Sequence, residues 1–591
     1  MNKANQIKQA LLAIGVLGMF QPVMAQTSPS KKDSLSSETV VIVREFEPVI
    51  KDAKKINHQP VLNEISKKTP TFSYEMIPQN QQYKFNPDTI DAVKIKGEPL
   101  NDLYRGYAKI GAGNYLNNLG ELHLNSVRSR DFQWGLDARH LGSKGGIKNL
   151  PDNSFSKQNV NLYGRKLLKH HAINGGFTFD REQINKYGLN RVVNADYPIS
   201  SNYTDSLKQT YLLYQANAGI KSFNADANLL NYKINFTYHN LAVNPANTKE
   251  TNFLMNSEFS KYFGTEKGYF YLDVDYNKLK SDSLVNGSEY KANLLIKPSI
   301  NVEFKGSKWR LIAGFKMGFE NEKKNQSEAK FYFFPNAEFK FNVVKNLIIP
   351  YLGITGNVKR NSFNSLRLEN PFLTALPELK TSKTTYDAYV GVRGLISSNL
   401  SYNISAGYKK VKDMVLYNSY QGPDLTIPVT NPTYFENVYS PIYDTVNIAH
   451  VSAQVNYQRE DKWNLMWRLN YNNYETQREA KAWNLPDFTS DVTLRYSLQD
   501  KIIAKSSITF MSSKYVRTDD VTQEEVAHLV YGRKIDPIID LNVGLEYRFT
   551  KRISAFVDVN NILSQNYEIW GNYQVQGINV MGGVTFAFWK K

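Results

Sequence analysis

The sequence has no cysteine and only eight histidines among its 591 residues. Without cysteine the chain cannot form disulfides, thiolate metal sites, a thiol nucleophile or a lipid-modified N-terminal cysteine. No serine stands in the strand-turn-helix motif that exposes a hydrolase nucleophile. We therefore expect a protein that is not an enzyme, with no catalytic residue, no cofactor and no metal site.

Long apolar runs are also missing. After residue 25, no segment approaches the roughly 18 consecutive apolar residues that a membrane-spanning helix needs. This absence excludes the class of helical membrane proteins. The mature chain is therefore either soluble or a barrel.

The N-terminus has the pattern of an export signal. Lys3 and Lys8 precede the apolar run ALLAIGVLGMF, and Val23 and Ala25 fit the small-residue rule for cleavage. We interpret residues 1–25 as a cleaved signal peptide. An N-terminal membrane anchor is the alternative, but the apolar run is too short to span a bilayer.

The chain is basic, with 72 lysines and arginines against 55 acidic residues and a net charge of +17. Such an excess favours nucleic acid or an anionic surface as a partner. The export signal argues against nucleic acid. Contact with outer-membrane lipid and lipopolysaccharide fits export better, although a generally basic proteome explains the charge equally well.

Long segments of strict alternation fill the region from residue 104 onward. The stretch DLNVGLEYRF at 540–549 alternates polar and apolar residues, and KWNLMWRLNY at 462–471 and YFYLDVDYN at 269–277 follow the same pattern, with Met466 and Tyr271 as apolar members of the polar rows. Period-two alternation predicts strands, and these segments exceed the five or six residues usual in soluble proteins. Residues 26–103 lack this pattern and contain scattered prolines.

Short and long connections alternate between these segments. Ten tight polar turns begin near residues 127, 167, 221, 263, 305, 343, 397, 459, 498 and 550, and mostly longer connections separate them. Short turns on one side and long loops on the other are typical of bacterial outer-membrane barrels. We predict an all-β fold, a transmembrane antiparallel barrel of about 22 strands (range 18–22) over residues 104–591, in the bacterial outer membrane.

In such a barrel the apolar row of each strand faces lipid and the polar row faces the lumen. We expect cross-strand pairing to be the main role of the charged lumen residues, with solute selectivity as the alternative. The lumen-facing candidates are Asp273, Asp275, Arg310, Lys316, Glu338, Lys340, Arg468, Asp540, Glu546 and Arg548.

The end of the chain resembles a known family. The hairpin FVDVNNILSQNYEIWGNYQVQGINVMGGVTFAF is similar to the last two strands of TonB-dependent receptors, and YRGYAKIGAGNYLNNLGELHLNS and ENPFLTALPEL resemble their Bacteroidota branch. Phe588 resembles the C-terminal aromatic that the barrel-assembly machinery recognises, although WKK follows it. The resemblance implies that this machinery is a partner.

The chain departs from this family in the region before the barrel. Roughly 75 mature residues precede Tyr104, which is too few for a complete plug domain. A segment near the mature N-terminus nevertheless resembles a TonB box, the strand that pairs with an energy transducer. The segment could equally pair with the barrel itself or form a short periplasmic strand. Its residues are Glu38, Thr39, Val40, Val41, Ile42 and Val43.

These observations predict a receptor-like barrel for transport or gated passage of a solute. The alternative is a structural scaffold or accessory subunit that binds other envelope proteins and transports nothing. We expect residues 26–103, as a periplasmic or luminal extension, or the long loops at 358–382 and 410–445 to occlude the lumen. Loop aromatics such as Phe363, Phe372, Tyr420, Tyr434 and Tyr439 could stack on sugars or pack on each other.

Overall fold

A computed structural model describes most of the chain from residue 103 to residue 590. The predicted signal peptide and the TonB-box-like segment lie outside the described residues. Leu103–Lys591 forms one compact unit. Within it, the structure leaves undescribed residues 149, 151, 189, 192–206, 225, 227, 284–286, 324–326, 376, 423–433 and 520–529.

The described residues form 27 strands and one short α-helix. The strands are β1 (Tyr104–Gly113), β2 (Asn118–Asn125), β3 (Phe132–Ser143), β4 (Phe155–Leu167), β5 (His171–Asn185), β6 (Asn190–Arg191), β7 (Lys208–Ser222), β8 (Asn231–Asn244), β9 (Thr248–Phe263), β10 (Glu266–Ser283), β11 (Gly287–Lys305), β12 (Trp309–Lys323), β13 (Ser327–Phe341), β14 (Ile349–Lys359), β15 (Ser382–Ser397), β16 (Leu400–Gly422), β17 (Tyr434–Arg459), β18 (Trp463–Thr476), β19 (Phe488–Leu498), β20 (Ile502–Met511), β21 (Lys514–Asp519), β22 (Val530–Ile535), β23 (Ile538–Arg548), β24 (Ile553–Asn560), β25 (Glu568–Trp570), β26 (Tyr573–Gln574) and β27 (Asn579–Lys590). The helix α1 (Phe363–Glu369) lies between β14 and β15.

Twenty-two of these strands form a closed antiparallel barrel, as predicted. Each wall strand pairs with its neighbour along the chain, and β1 pairs with β27 to close the ring, with Tyr104 opposite Lys590. The remaining strands, β6, β21, β22, β25 and β26, belong to the outer connections. Closure leaves no free sheet edge in the wall, which a barrel in lipid requires.

Alternation along each strand sets the two faces of the wall. On β23, Val543 and Leu545 are 40% and 51% exposed, and Phe549 directly after it is 63% exposed, whereas Gly544 is buried and Glu546 is partly buried on the other face. Large apolar side chains repeat on the outer face of most wall strands. Burying such rows in hydrocarbon stabilises the barrel, so the outer face is the lipid face.

All ten predicted tight turns join wall strands at one end of the barrel. They connect β2–β3, β4–β5, β7–β8, β9–β10, β11–β12, β13–β14, β15–β16, β17–β18, β19–β20 and β23–β24. Eleven connections lie at the opposite end, which we call the outer mouth because longer loops face outward in such barrels. No described helix is long and apolar enough to cross a membrane.

Some predicted outer connections are largely strand. β16 and β17 contain 23 and 26 residues, so they occupy much of the range 410–445 that we predicted as a loop. A strand needs only about 9–11 residues to cross a bilayer. Beyond the lipid, the apolar row is no longer required while the backbone ladder continues. The sequence pattern therefore marks where the lipid ends rather than where the strand ends.

Candidate functional site

The connection between β14 and β15 folds across the outer mouth. We call this segment, residues 360–381, the cap. Its helix and the residues after it pack in a buried apolar cluster with side chains from β5, β7, β8, β10, β16, β17 and the last outer connection. In the ring of 22 strands β5 and β17 are eleven steps apart, so the cluster joins opposite walls. The cap therefore spans the mouth.

A buried carboxylate holds the start of helix α1. Glu250 on β9 is fully buried, and its carboxylate accepts hydrogen bonds from the backbone N–H groups of Phe363 at 2.7 Å and Asn364 at 2.8 Å. The Ser362 hydroxyl accepts another from the Ser365 N–H at 3.1 Å. The free N–H groups of a helix start need such acceptors, and a negative charge there is also favourable. Glu250 thus fixes the helix against the wall.

A buried arginine holds the other end of the helix. Arg367 is 2% exposed, and its guanidinium donates to Glu182 Oε2 on β5 at 3.2 Å and to Asn364 Oδ1 at 2.9 Å. The guanidinium also lies 5.0 Å from the ring centroid of Tyr211. A buried charge needs a partner, so Arg367 and Glu182 depend on each other.

The cap reaches the opposite wall through backbone and ring contacts. The Tyr439 N–H on β17 donates to the Phe372 carbonyl at 2.9 Å, and the Thr374 N–H donates back to the Tyr439 carbonyl at 3.0 Å. The ring of Phe372 stacks on Tyr573 of the last outer connection with centroids 3.5 Å apart. These contacts lock the cap between two sides of the barrel.

Two of the predicted loop aromatics, Phe363 and Phe372, and Tyr439 pack in this cluster. For these three, packing on each other is the correct alternative. The side chains of Tyr420 and Tyr434 lie outside the described residues. Sequence reasoning missed Glu250, Glu182 and Arg367, because a single charge near a strand end carries no signal of its distant partner.

A cavity of about 470 Å³ lies beside the cap. Its walls come from the β3–β4 connection, β4, β5, the end of helix α1, β23, β24 and the last outer connection. Aromatic and amide side chains dominate the lining, together with Glu182, Glu369, Asp540 and Lys157. A cavity of this size can hold a small organic molecule.

Two phenols of this cavity remain protonated at neutral pH. Burial raises the pKa of Tyr187 to about 12, and its hydroxyl donates to the Gln574 carbonyl at 2.8 Å. Burial and then the nearby Asp540 carboxylate raise the pKa of Tyr567 to about 12. The cavity therefore offers neutral ring surfaces rather than phenolate charges.

The predicted lumen residues occupy the rows opposite the outward apolar rows, and many form short-range pairs. Asp273 pairs with Lys297 on the next strand at 3.5 Å, and Asp275 pairs with Arg360 of the cap at 2.9 Å. The remaining contacts are Arg310 with Glu303 at 2.7 Å, Lys316 with Thr355 at 2.9 Å, Lys340 with Glu338 at 2.6 Å, Arg548 with Glu546 at 3.6 Å, Asp540 with Asn542 at 2.9 Å, and Arg468 with the Met466 sulfur at 3.3 Å. A role for these residues in solute selectivity stays a prediction.

Phe588 lies on β27, beside the seam that closes the barrel. Its ring lies so close to Gly106 on β1 that a side chain at Gly106 would collide with it, and it stacks with Phe586 at 5.8 Å between centroids. The residue therefore sits on the strand that completes the ring. Recognition of Phe588 by the assembly machinery stays a prediction.

Within the described part of the chain, no three histidine, aspartate or glutamate side chains are grouped so that they could hold a metal ion. The described part of the outer mouth is a capped barrel with a cavity beside the cap. Such an arrangement can bind a small molecule and restrict its passage.

Solved structures of TonB-dependent outer-membrane receptors share this fold. The FrpB iron transporter from Neisseria meningitidis (F3-3 variant) is 9% identical, with a TM-score of 0.63 over 83% of this chain and 82% of that one. The pyoverdine receptor FpvA from Pseudomonas aeruginosa is 11% identical, with a TM-score of 0.61 over 83% and 79%. The copper transporter OprC is 12% identical, with a TM-score of 0.58 over 83% and 82%.

No protein-family model matches the sequence. No curated protein matches it either. The structural similarity confirms the predicted barrel fold, and at this identity it shows the fold alone. The closed barrel and its apolar outer rows place the protein in the bacterial outer membrane.

Proposed function

We propose that this protein is a receptor-like outer-membrane transporter, which binds a solute in the cavity beside the cap and releases it into the lumen when the cap moves. The cap carries this proposal, because it spans the mouth and is held by side-chain packing and a few hydrogen bonds on each wall rather than by the strand ladder. A segment that is held outside the strand ladder can be displaced without unfolding the wall. The transport function of the structural neighbours supports the same proposal.

The proposal assigns roles to the parts that the structure does not describe. Residues 1–25 direct export, residues 26–103 extend into the periplasm or the lumen, and Glu38–Val43 pairs with a TonB-like energy transducer by strand addition. Barrel-assembly machinery inserts the barrel through Phe588, and the outer face meets lipid and lipopolysaccharide. No catalytic step is part of this function.

Deletion of residues 38–43 in the native host tests the energised form of this function. We expect this deletion to reproduce the phenotype of removing the whole gene, with normal amounts of barrel in the outer membrane. Deletion of residues 27–32, an equally long segment of the same linker, is the matched control and should leave the phenotype unchanged. An intact phenotype after loss of residues 38–43 would exclude active transport through this segment.

A scaffold role is the second candidate, and the long β16–β17 hairpin favours it. These strands contain more than twice the residues that a bilayer crossing needs, so they project a large surface outside the lipid. Shortening the projecting hairpin while keeping its paired lower part should then abolish co-purification of envelope proteins. Loss of solute uptake with unchanged co-purification would instead support transport.

A further inference from the structure

The cavity beside the cap contains information about the charge of its ligand, provided that it is the binding site in the proposed function. Three carboxylates line it: Glu182, Glu369 and Asp540. Glu182 is paired with two cations, because Lys157 Nζ lies 2.5 Å and Arg367 Nη1 lies 3.2 Å from its oxygens, so the three carboxylates exceed these two cations by one negative charge. Lys157, the basic residue of the lining, is therefore already paired with Glu182.

The other two carboxylates have no such partner. Neither Glu369 nor Asp540 forms an ion pair with a lysine, arginine or histidine that the structure describes. Glu369 ends helix α1 and is exposed. The cavity therefore carries excess negative charge, which repels anions and attracts cations.

The cavity also has hydrogen-bond acceptors without donors. Asp540 Oδ1 and Asn579 Oδ1 are buried oxygens of lining residues without a hydrogen-bond donor in the described structure, whereas the Asp540 carboxylate accepts from Asn542 Nδ2 at 2.9 Å through Oδ2 and also interacts with the Tyr567 hydroxyl. A buried acceptor without a donor costs free energy. A ligand that brings N–H or O–H groups would satisfy such acceptors.

Aromatic rings supply the third feature. Phe372, Tyr573 and Trp570 line the cavity, and rings of this cluster already interact with cations elsewhere. The Lys514 ammonium lies 5.5 Å from the centroid of Trp570, and the Arg367 guanidinium lies 5.0 Å from that of Tyr211. The faces of such rings attract organic cations and also contact apolar groups.

From charge, acceptors and rings together we infer that the cavity binds an organic cation, a protonated amine that carries an aromatic or other apolar group. The apolar part packs on Phe372, Trp570 and the half-buried rings of Tyr187 and Tyr567, and the ammonium lies toward Glu369 and Asp540. Anionic ligands are disfavoured at the same place. This inference separates the ligand class of this protein from that of a receptor for an anionic chelate.

Three small molecules that differ only in charge test the inference on the purified mature protein. Phenethylamine is cationic, 2-phenylethanol is neutral and phenylacetate is anionic, and all three carry the same ring. We expect calorimetric affinities in the order amine, alcohol, acid, with about fivefold between the amine and the alcohol for each carboxylate that acts. Tighter binding of phenylacetate, or no binding of phenethylamine up to millimolar concentration, would overturn the inference.

Substitutions locate the effect. Glu369→Gln and Asp540→Asn should each reduce the preference for the amine over the alcohol about fivefold, and leave the affinity for the alcohol unchanged. Glu378→Gln is the matched control, since Glu378 belongs to the cap, pairs with Lys380 at 3.3 Å and does not line the cavity. An equal loss in the control would assign the preference to the general charge of the mouth and refute the site.

Failure of this inference is distinguishable from failure of the proposed function. The binding measurement needs no transducer and no transport. A preference for the amine combined with an intact phenotype after deletion of residues 38–43 would retain the ligand class and remove active transport. No preference for the amine, combined with loss of the phenotype after deletion of residues 38–43, would support transport and refute the ligand class.

Discussion

The wall and the cap of this barrel are built by different interactions. In the wall, neighbouring strands pair residue by residue, as in the ladder of β10 and β11, and one apolar row of each strand faces lipid. In the cap, short helix α1 depends on two carboxylates that lie 113 and 185 residues away in sequence. The wall is thus stabilised by repeated contacts between neighbouring strands, and the cap by an apolar cluster and specific polar contacts with residues distant in sequence. Damage to the cap should therefore leave the wall intact.

Arg367→Met should have the largest effect. The substitution removes one of the two cations that contact buried Glu182; because Lys157 remains, we expect a cost near the lower end of the roughly 3–5 kcal/mol for a buried charge without a partner. We expect the cap to detach and the single-channel conductance in planar bilayers to rise, while the heat-modified gel mobility of the barrel is unchanged. Adding Glu182→Met should recover part of the loss, because the buried carboxylate is then gone and Lys157, whose side chain is 55% exposed, can be hydrated. An unchanged conductance would show that the cap does not close the mouth.

A charge on the lipid face should show the reverse behaviour. Val543→Arg places a cation on the outward row of β23, where it costs about 2–4 kcal/mol near the middle of the bilayer. We expect a lower unfolding midpoint in urea for the barrel, and no rise in conductance. Thr493→Arg, at the same height on the inward row of β19, is the control and should change stability by less than about 0.5 kcal/mol. Equal effects of the two substitutions would contradict the assignment of the two faces.

Removal of the helix-capping carboxylate should weaken the cap more mildly. Glu250→Ala removes the acceptor for the Phe363 and Asn364 N–H groups, at a cost of about 2 kcal/mol if water enters. Hydrogen exchange should become faster across residues 363–369 and stay unchanged in β9. Glu250→Gln retains one acceptor oxygen and should show about half of the effect. Faster exchange throughout the wall would mean that the cap and the wall unfold together.

A pH effect at the outer hairpin β21–β22 should be the smallest. Burial lowers the pKa of Lys514 to about 8, below its usual 10.5, and Glu568 opposes this shift. Between these values the undocked hairpin binds more protons than the docked one, so docking becomes more stable as pH rises from about 8 to about 10.5. We expect the free energy of docking to change by about 1 kcal/mol over this pH range. The change is small because solvent reaches the hairpin and Arg517 also holds it to Glu479 at 2.8 Å. Lys514→Met should abolish the pH dependence of hydrogen exchange in the hairpin. If the pH dependence remained in this variant, another titratable group would be its cause.

The wall was predictable from the sequence because its rule is local. Alternation in segments such as 540–549 identifies the strand and its lipid face, and the ten tight turns identify the end at which each hairpin closes. The strand number follows from counting these turns, and closure follows from the requirement that no edge remain open in lipid. The extended upper parts of β16 and β17 were missed, since polar strands in water lack an outward apolar row.

The cap was predictable only in part. The sequence shows a long connection at 358–382 with several aromatic residues, and occlusion by this loop was one of the expected alternatives. Its partners, Glu250 on β9, Glu182 on β5 and Tyr439 on β17, are ordinary residues in their own segments. Their meeting depends on how the closed ring brings distant strands around one mouth.

By itself, the sequence determined the strands, their two faces and the closed barrel, because period-two alternation and turn composition act over a few residues. Tertiary structure alone decided that residues 360–381 cross the mouth, that Glu250 and Arg367 are buried with partners, and that a negatively charged aromatic cavity lies beside them. These features arise between residues far apart in the chain. Their pairing has no period along the sequence, and only the folded ring brings them within contact distance.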